Sequence, residues 1–438
     1  MSETATDRDN KLAHGAVQNL LNDKLKITFM LLASLPIWGV LLPWDFGPRT
    51  GVYSVQMDIY RWILANNSLA VPIIQLAILM FFLKNRVSLL SVISSYKIAD
   101  KIAVALFVTV IAYAYFAVSI YKLGALLGIL SIYIHLNFSY NIFTVIRDAG
   151  ASYLKYFWVV AALSTIAYSA LWAIDYSIFT PGEKDWVRRV PGVTNVRWTG
   201  FFWLTAYCAG LVFAARGKIL TNWPALVLGS FGLGMTIWTG TRGALLAMMC
   251  ATAGAFLFSP TFRKFIFKYA ALTAVIAVGV NLVVPVPHSQ YGIERIFAYA
   301  SSAEKQQKLD SGRLHNWQEA LKLVKTQPVA GHGIDQYQAM GPADKLGIKG
   351  PHSFPVQILF SIGLLGAVCL IYGVYRFFSS FKIQITQPHH LAALAFFCGG
   401  SLYQLYDNFL YYPYPITMFM LSIFMIFNQK RKNEGDQI

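Results

Sequence analysis

Residues 219–259 read ILTNWPALVLGSFGLGMTIWTGTRGALLAMMCATAGAFLFS. Two apolar runs, 219–238 and 243–259, are joined by the tight turn Thr239-Gly240-Thr241-Arg242. Each run is close to the roughly 20 residues that carry an α-helix across a hydrocarbon layer. Outward from this pair the pattern recurs, at 27–43, 62–83, 102–121, 125–146, 156–175 and 200–215 before it and at 267–287, 354–375, 391–409 and 413–428 after it. The runs predict an all-α polytopic membrane protein with about twelve transmembrane helices.

Composition agrees. Charged residues make up 13% of the 438 and hydrophobic residues 56%, with a mean hydropathy of +0.50. Soluble domains carry about 25% charged residues, so an ordinary soluble enzyme and a disordered chain are both excluded. The net charge of +16 would suggest a nucleic-acid partner in a soluble protein. Beside membrane spans it reads as basic loops, with no nucleic acid implied. Cys208, Cys250, Cys369 and Cys398 all lie inside apolar runs, which excludes a disulfide framework. Residues 1–26 lack the short apolar core and small-residue cleavage site of a secretory signal, so the run at 27 is expected to remain as a span.

Lys and Arg orient the bundle. With the N-terminus in the cytoplasm, the cytoplasmic tails and loops hold 20 Lys and Arg. The outer side holds 16, of which 8 lie in the long segment 288–353, and long loops obey the rule poorly. The chain then divides into a cytoplasmic tail 1–26, transmembrane helices one to nine within 27–287, a large outer loop 288–353, transmembrane helices ten to twelve within 354–428, and a cytoplasmic tail 429–438. Within the large loop, Asp310–Gln327 reads as a short helix, with Ser311 as N-cap and Pro328 as terminator. Leu314, Trp317, Leu321 and Val324 recur at spacings of three and four and predict its apolar face.

Four cationic or titratable residues from separate stretches fall on the outer face: Arg197, Arg242, Arg313 and His352. Arg242 stands out, because an arginine against hydrocarbon costs about 2.5–3.5 kcal/mol at span centre and less at the edge. Alone, each has a plain alternative, either snorkelling to headgroups or ordinary loop chemistry. Together, three arginines suit a diphosphate, because the guanidinium fork matches phosphate oxygens in pairs. One histidine suits general-base work near neutral pH. Asp407, at the outer end of the eleventh run, could support the histidine or neutralise an arginine. His288, His315 and His332 lack metal-site spacing and no carboxylate cluster accompanies them, so no metal is expected. No nucleotide fingerprint occurs, so no cofactor is expected.

On these residues the chain resembles the O-antigen ligase family, within a wider group that includes O-antigen polymerases and protein O-oligosaccharyltransferases. The ordered features are Arg197 with Gly200; Thr241-Arg242-Gly243; Arg313-Leu314-His315-Asn316-Trp317 followed by Pro328 and Gly331-His332-Gly333; and His352-Ser353 followed by Gly363-Leu364-Leu365-Gly366. Ser353 departs from the family's usual asparagine. The resemblance implies a GT-C-like, metal-independent inverting glycosyltransferase of a Gram-negative inner membrane, with its large loop in the periplasm. The implied donor is a glycan on undecaprenyl pyrophosphate and the implied acceptor a lipid A–core hydroxyl. His352 would be the base, and Arg197, Arg242 and Arg313 would hold the pyrophosphate. A polymerase would use similar residues. A twelve-span transporter predicts a 6+6 repeat and ionisable residues at mid-membrane, neither of which the sequence shows.

Overall fold

The computed structural model describes residues 70–81, 97–120, 122–149, 154–178, 196–215, 222–289, 291–297, 313–334, 336–340, 350–379, 381–383, 385–406 and 413–429. Helices fall on eleven of the twelve expected runs; the first, 27–43, lies outside the described residues. The described α-helices, of which α9 and α10 lie in the large loop, are α1 (Ala70–Phe81), α2 (Ile98–Tyr113), α3 (Lys122–Ala149), α4 (Leu154–Ile178), α5 (Gly200–Ala214), α6 (Trp223–Trp238), α7 (Arg242–Phe258), α8 (Arg263–Val283), α9 (Gly292–Phe297), α10 (Arg313–Thr326), α11 (Phe354–Ser379), α12 (Pro388–Tyr406) and α13 (Pro413–Ile426). Among the described residues, five segments are long and apolar enough to cross a membrane: Ile98–Val118, Lys122–Asn141, Phe157–Ile178, Pro260–Val283 and Phe354–Arg376. The protein is a multi-pass membrane protein.

Helix α5 is the centre of the bundle. Nearly all its residues, Gly200 to Ala214, are buried, as expected of a helix that is apolar all round. Small residues let its neighbours close in. A Cβ on Gly232 of α6 would lie 2.5 Å from the Trp203 carbonyl and 2.7 Å from the Tyr207 nitrogen of α5. Helices α7 and α12 meet the same way, with Gly399 against the Ala247 carbonyl. The periphery leaves Phe267, Val275, Leu282 and Val283 of α8 exposed, a face suited to lipid.

One helix of the bundle is broken. At Gly363, φ 63° and ψ −171° interrupt α11, and the freed backbone groups need partners inside the protein. The segment after α10 supplies them. Leu364 N–H donates to the Pro328 carbonyl (2.8 Å) and Leu365 N–H to that of Val329 (3.1 Å). In return, His332 N–H donates to the Phe360 carbonyl (2.7 Å) and Gly333 N–H to that of Ser361 (2.9 Å). Helix α2 ends beside this exchange in a π turn, Ala114–Val118, and Ser119 Oγ lies 3.5 Å from the His332 carbonyl. The first two turns of α11 therefore continue past the end of α2 and pack on α10. The apolar run expected as one span is thus two pieces joined at a glycine.

Gly331 (φ 70°) packs against the backbone of Phe360, Ile362 and Gly363, where a Cβ would come within 2.6 Å. Gly331→Ala and Gly363→Ala are each expected to lower stability by more than about 2 kcal/mol, through strain and backbone collision together. Gly373→Ala, with nothing within 4 Å of its Cβ position, should be neutral. Membrane accumulation and thermal unfolding of the purified variants check this.

At the opposite end of the bundle, Asp100 of α2 accepts from Arg376 Nε (2.9 Å) and Nη2 (3.0 Å) and from Tyr372 Oη (2.9 Å) of α11. Two three-residue strands, Phe381–Ile383 and Phe427–Gln429, pair antiparallel there and join the ends of α11 and α13. They add a short ladder to a fold expected to be helical throughout.

Candidate active site

Three arginines stand at the starts of three helices. Arg197 lies in a 3-10 turn, Val196–Thr199, that runs directly into α5. Arg242 is the first residue of α7, and Arg313 the first described residue of α10. Neither α5 nor α7 has an acidic residue in its first turn. A helix start carries about half a positive charge, so a cation placed there is normally unfavourable by about 0.3–1 kcal/mol. Where that arrangement occurs, as at Arg242, side chain and backbone are positive together, and an anion relieves it. All three side chains are half-buried.

Two of the arginines are tied together by a residue the sequence reading did not single out. Tyr403 of α12 is buried and its Oη donates to the Arg197 carbonyl at 2.9 Å. Its ring occupies the slot that Gly200 and Gly243 leave open. A Cβ on Gly243 would lie 2.7 Å from Tyr403 Cε2, and one on Gly200 would meet Tyr403 Oη and Ala244 Cβ. The glycines after Arg197 and Arg242 thus make room for one side chain. No periodicity marks Tyr403, which sits among other apolar residues of its run.

Arg295 was missed as well. It lies buried on α9, and its carbonyl accepts from Arg242 Nη2 at 2.8 Å. Its aliphatic stem packs against Gly240, where a Cβ would be 2.7 Å from Arg295 Cδ. Trp238 adds a second tie, donating from Nε1 to the Pro285 carbonyl (3.0 Å) and meeting the Tyr291 ring edge-on at 5.3 Å. This tryptophan fastens the turn at Arg242 to the outer segment that follows α8.

Arg313 and His352 belong to a second group. Helix α10 packs on the first half of α11 through Ala320, Tyr337 and Phe360, flanked by Leu323, Val324, Met340 and Val356. The apolar face expected for α10 needs correction. Trp317 and Val324 are half-buried, but Leu314 and Leu321 are 56% and 40% exposed, and the deeply buried positions are Asn316 and Ala320. The contacted surface is narrower and rotated, because the bulky Phe360 and Tyr337 demand a small residue opposite them. Ser311, the expected N-cap, lies outside the described residues. Glu319 is engaged by Lys322 Nζ at 2.6 Å, which holds its carboxyl below the usual range.

His352 precedes α11 and takes a left-handed backbone, φ 52°, alone among the described non-glycine residues. Such strain persists where the surroundings enforce it and clusters at functional positions. His332 is different. It is buried, stacks on Phe360 at 5.0 Å, and its Nε2 lies 2.8 Å from the Leu323 carbonyl and 3.3 Å from Thr326 Oγ1. It pins the end of α10 to the break in α11. Asp407, the expected supporting acid, lies outside the described residues.

The region from α6 into α11 is where known proteins enter. The O-antigen ligase family model matches residues 224–371. This stretch is an O-antigen ligase family domain. It covers roughly a third of the chain and contains Arg242, Arg295, Arg313 and His352; Arg197 and Tyr403 lie outside it. No curated protein matches the chain. O-antigen ligase family domains belong to ligase- and polymerase-type glycosyltransferases that use lipid-linked glycans, and residues 224–371 place an enzyme domain of that kind in this chain.

Proposed function

We propose that the chain is an O-antigen ligase. It transfers a glycan from undecaprenyl pyrophosphate to a hydroxyl of the lipid A–core, at the periplasmic face of a Gram-negative inner membrane. The observation that carries this reading is the placement of Arg197 and Arg242 just before and at two helix starts with no acid in their first turns, both reached by Tyr403, with Arg313 at the described N-terminal end of α10. That region is matched to a diphosphate, whose charge grows as the glycosyl bond breaks. Electrostatic stabilisation aimed at a leaving group is often the largest catalytic contribution.

In the proposed reaction the acceptor hydroxyl attacks the anomeric carbon from the face opposite the diphosphate. His352 accepts the hydroxyl proton as the new glycosidic bond forms. The bond from the anomeric carbon to the diphosphate oxygen breaks with its electron pair, and the arginines hold the undecaprenyl pyrophosphate released. The anomeric centre inverts. The twelve-helix GT-C-like arrangement, the periplasmic loop 288–353 and a supporting role for Asp407 belong to the same proposal.

A deletion strain tests the assignment against its nearest rivals. Loss of a ligase strands polymerised glycan on the lipid carrier and leaves bare lipid A–core. Single repeat units on the core would instead assign a polymerase. Unchanged lipopolysaccharide would assign a protein O-oligosaccharyltransferase. Lipopolysaccharide and lipid-linked glycan profiles from one culture separate the three.

A further inference from the structure

We propose that Tyr403 is a positioning residue for the anion-binding arginines, setting the spacing between Arg197 and Arg242. The inference rests on the pyrophosphate reading above. Its basis is independent of the arginine placement: one buried phenol contacts both helix starts. The ring stacks on Phe201 at 5.2 Å with an interplanar angle of 8°, so its orientation is fixed from α5. From there Oη reaches the Arg197 carbonyl (2.9 Å) and the ring edge reaches Gly243, next to Arg242.

The two contacts do different things. The ring packs and so sets how closely α5 and α7 approach. The hydroxyl restrains the 3-10 turn that carries Arg197, in which Thr199 Oγ1 donates to the Val196 carbonyl at 2.6 Å. An error of about 1 Å in such a turn is enough to spoil paired recognition of a diphosphate. Tyr403 does not touch substrate in this account; it acts through Arg197.

Tyr403→Phe separates the roles, because it keeps the ring and deletes the hydroxyl. The measurement is transfer by the purified full-length protein, using undecaprenyl-pyrophosphate-linked glycan extracted from the deletion strain and lipid A–core as acceptor. Each substrate is varied separately and inorganic pyrophosphate serves as competitor. For Tyr403→Phe, kcat/KM for the donor is expected to fall about tenfold, the scale of one lost hydrogen bond. Inhibition by pyrophosphate should weaken in step. The acceptor KM should stay at its wild-type value, and the thermal unfolding midpoint should fall only by the few degrees that one lost hydrogen bond costs. Tyr403→Leu, which removes the ring, should lose donor kinetics and stability together. Unchanged donor kinetics in Tyr403→Phe would overturn the proposal. So would equal losses for donor, acceptor and stability, which would make the tyrosine a packing residue only. Arg242→Ala is run alongside. If that variant keeps its donor kinetics and pyrophosphate inhibition, the pyrophosphate reading itself has failed, whatever Tyr403 does.

Discussion

His352→Ala is expected to abolish glycan transfer while the protein still accumulates in the membrane. A positioned general base contributes about 10²–10⁴-fold, which removes smooth lipopolysaccharide from a gel. The backbone provides an internal control. At φ 52° alanine keeps the strain of a Cβ in the left-handed region, whereas glycine does not, a difference of about 1 kcal/mol. His352→Gly should therefore melt higher than His352→Ala and be equally inactive. That pairing separates chemistry from folding, because a loss of activity caused by misfolding would be smaller in the glycine variant. Smooth lipopolysaccharide in either variant would remove His352 from the base role.

Arg242→Ala should lower kcat/KM for the donor by about 10²–10³, the range for loss of one preorganised charge-stabilising group. Arg242→Lys should recover only part of it. Lysine keeps the charge but presents a single point, so it cannot hold the Arg295 carbonyl, now 2.8 Å from Nη2, and a diphosphate oxygen with one planar fork. Stability is expected to change little. Removing the cation relieves its repulsion with the start of α7, about 0.3–1 kcal/mol, and deletes a hydrogen bond of similar size. Kinetics with separately varied donor and acceptor, beside thermal unfolding, tests both halves. A fall confined to the acceptor would place Arg242 outside the pyrophosphate subsite.

The spans were legible because hydrophobic run length reports directly on the thickness of the layer to be crossed. Arg242 was legible for the same reason, as a charge in a turn too short to take it far from hydrocarbon. Arg295 was not, because a cation eight residues past the run 267–287 resembles any loop arginine until its neighbours are known. Tyr403 was invisible, since its environment is made by Gly200 and Gly243, which lie 203 and 160 residues away in the chain. The face of α10 was misread because spacing reports which residues align, and only the partner decides which of several faces is covered.

The sequence by itself determined that this chain crosses a membrane, and it carries the arginines and the histidine in their order. Local composition sets both, residue by residue. Only the tertiary structure decided that α11 is broken at Gly363 and repaired by residues 328–333, and that the glycines after Arg197 and Arg242 serve one tyrosine. Those are agreements between distant segments, made by backbone hydrogen bonds and close packing, and such complementarity exists only once both partners are folded against each other.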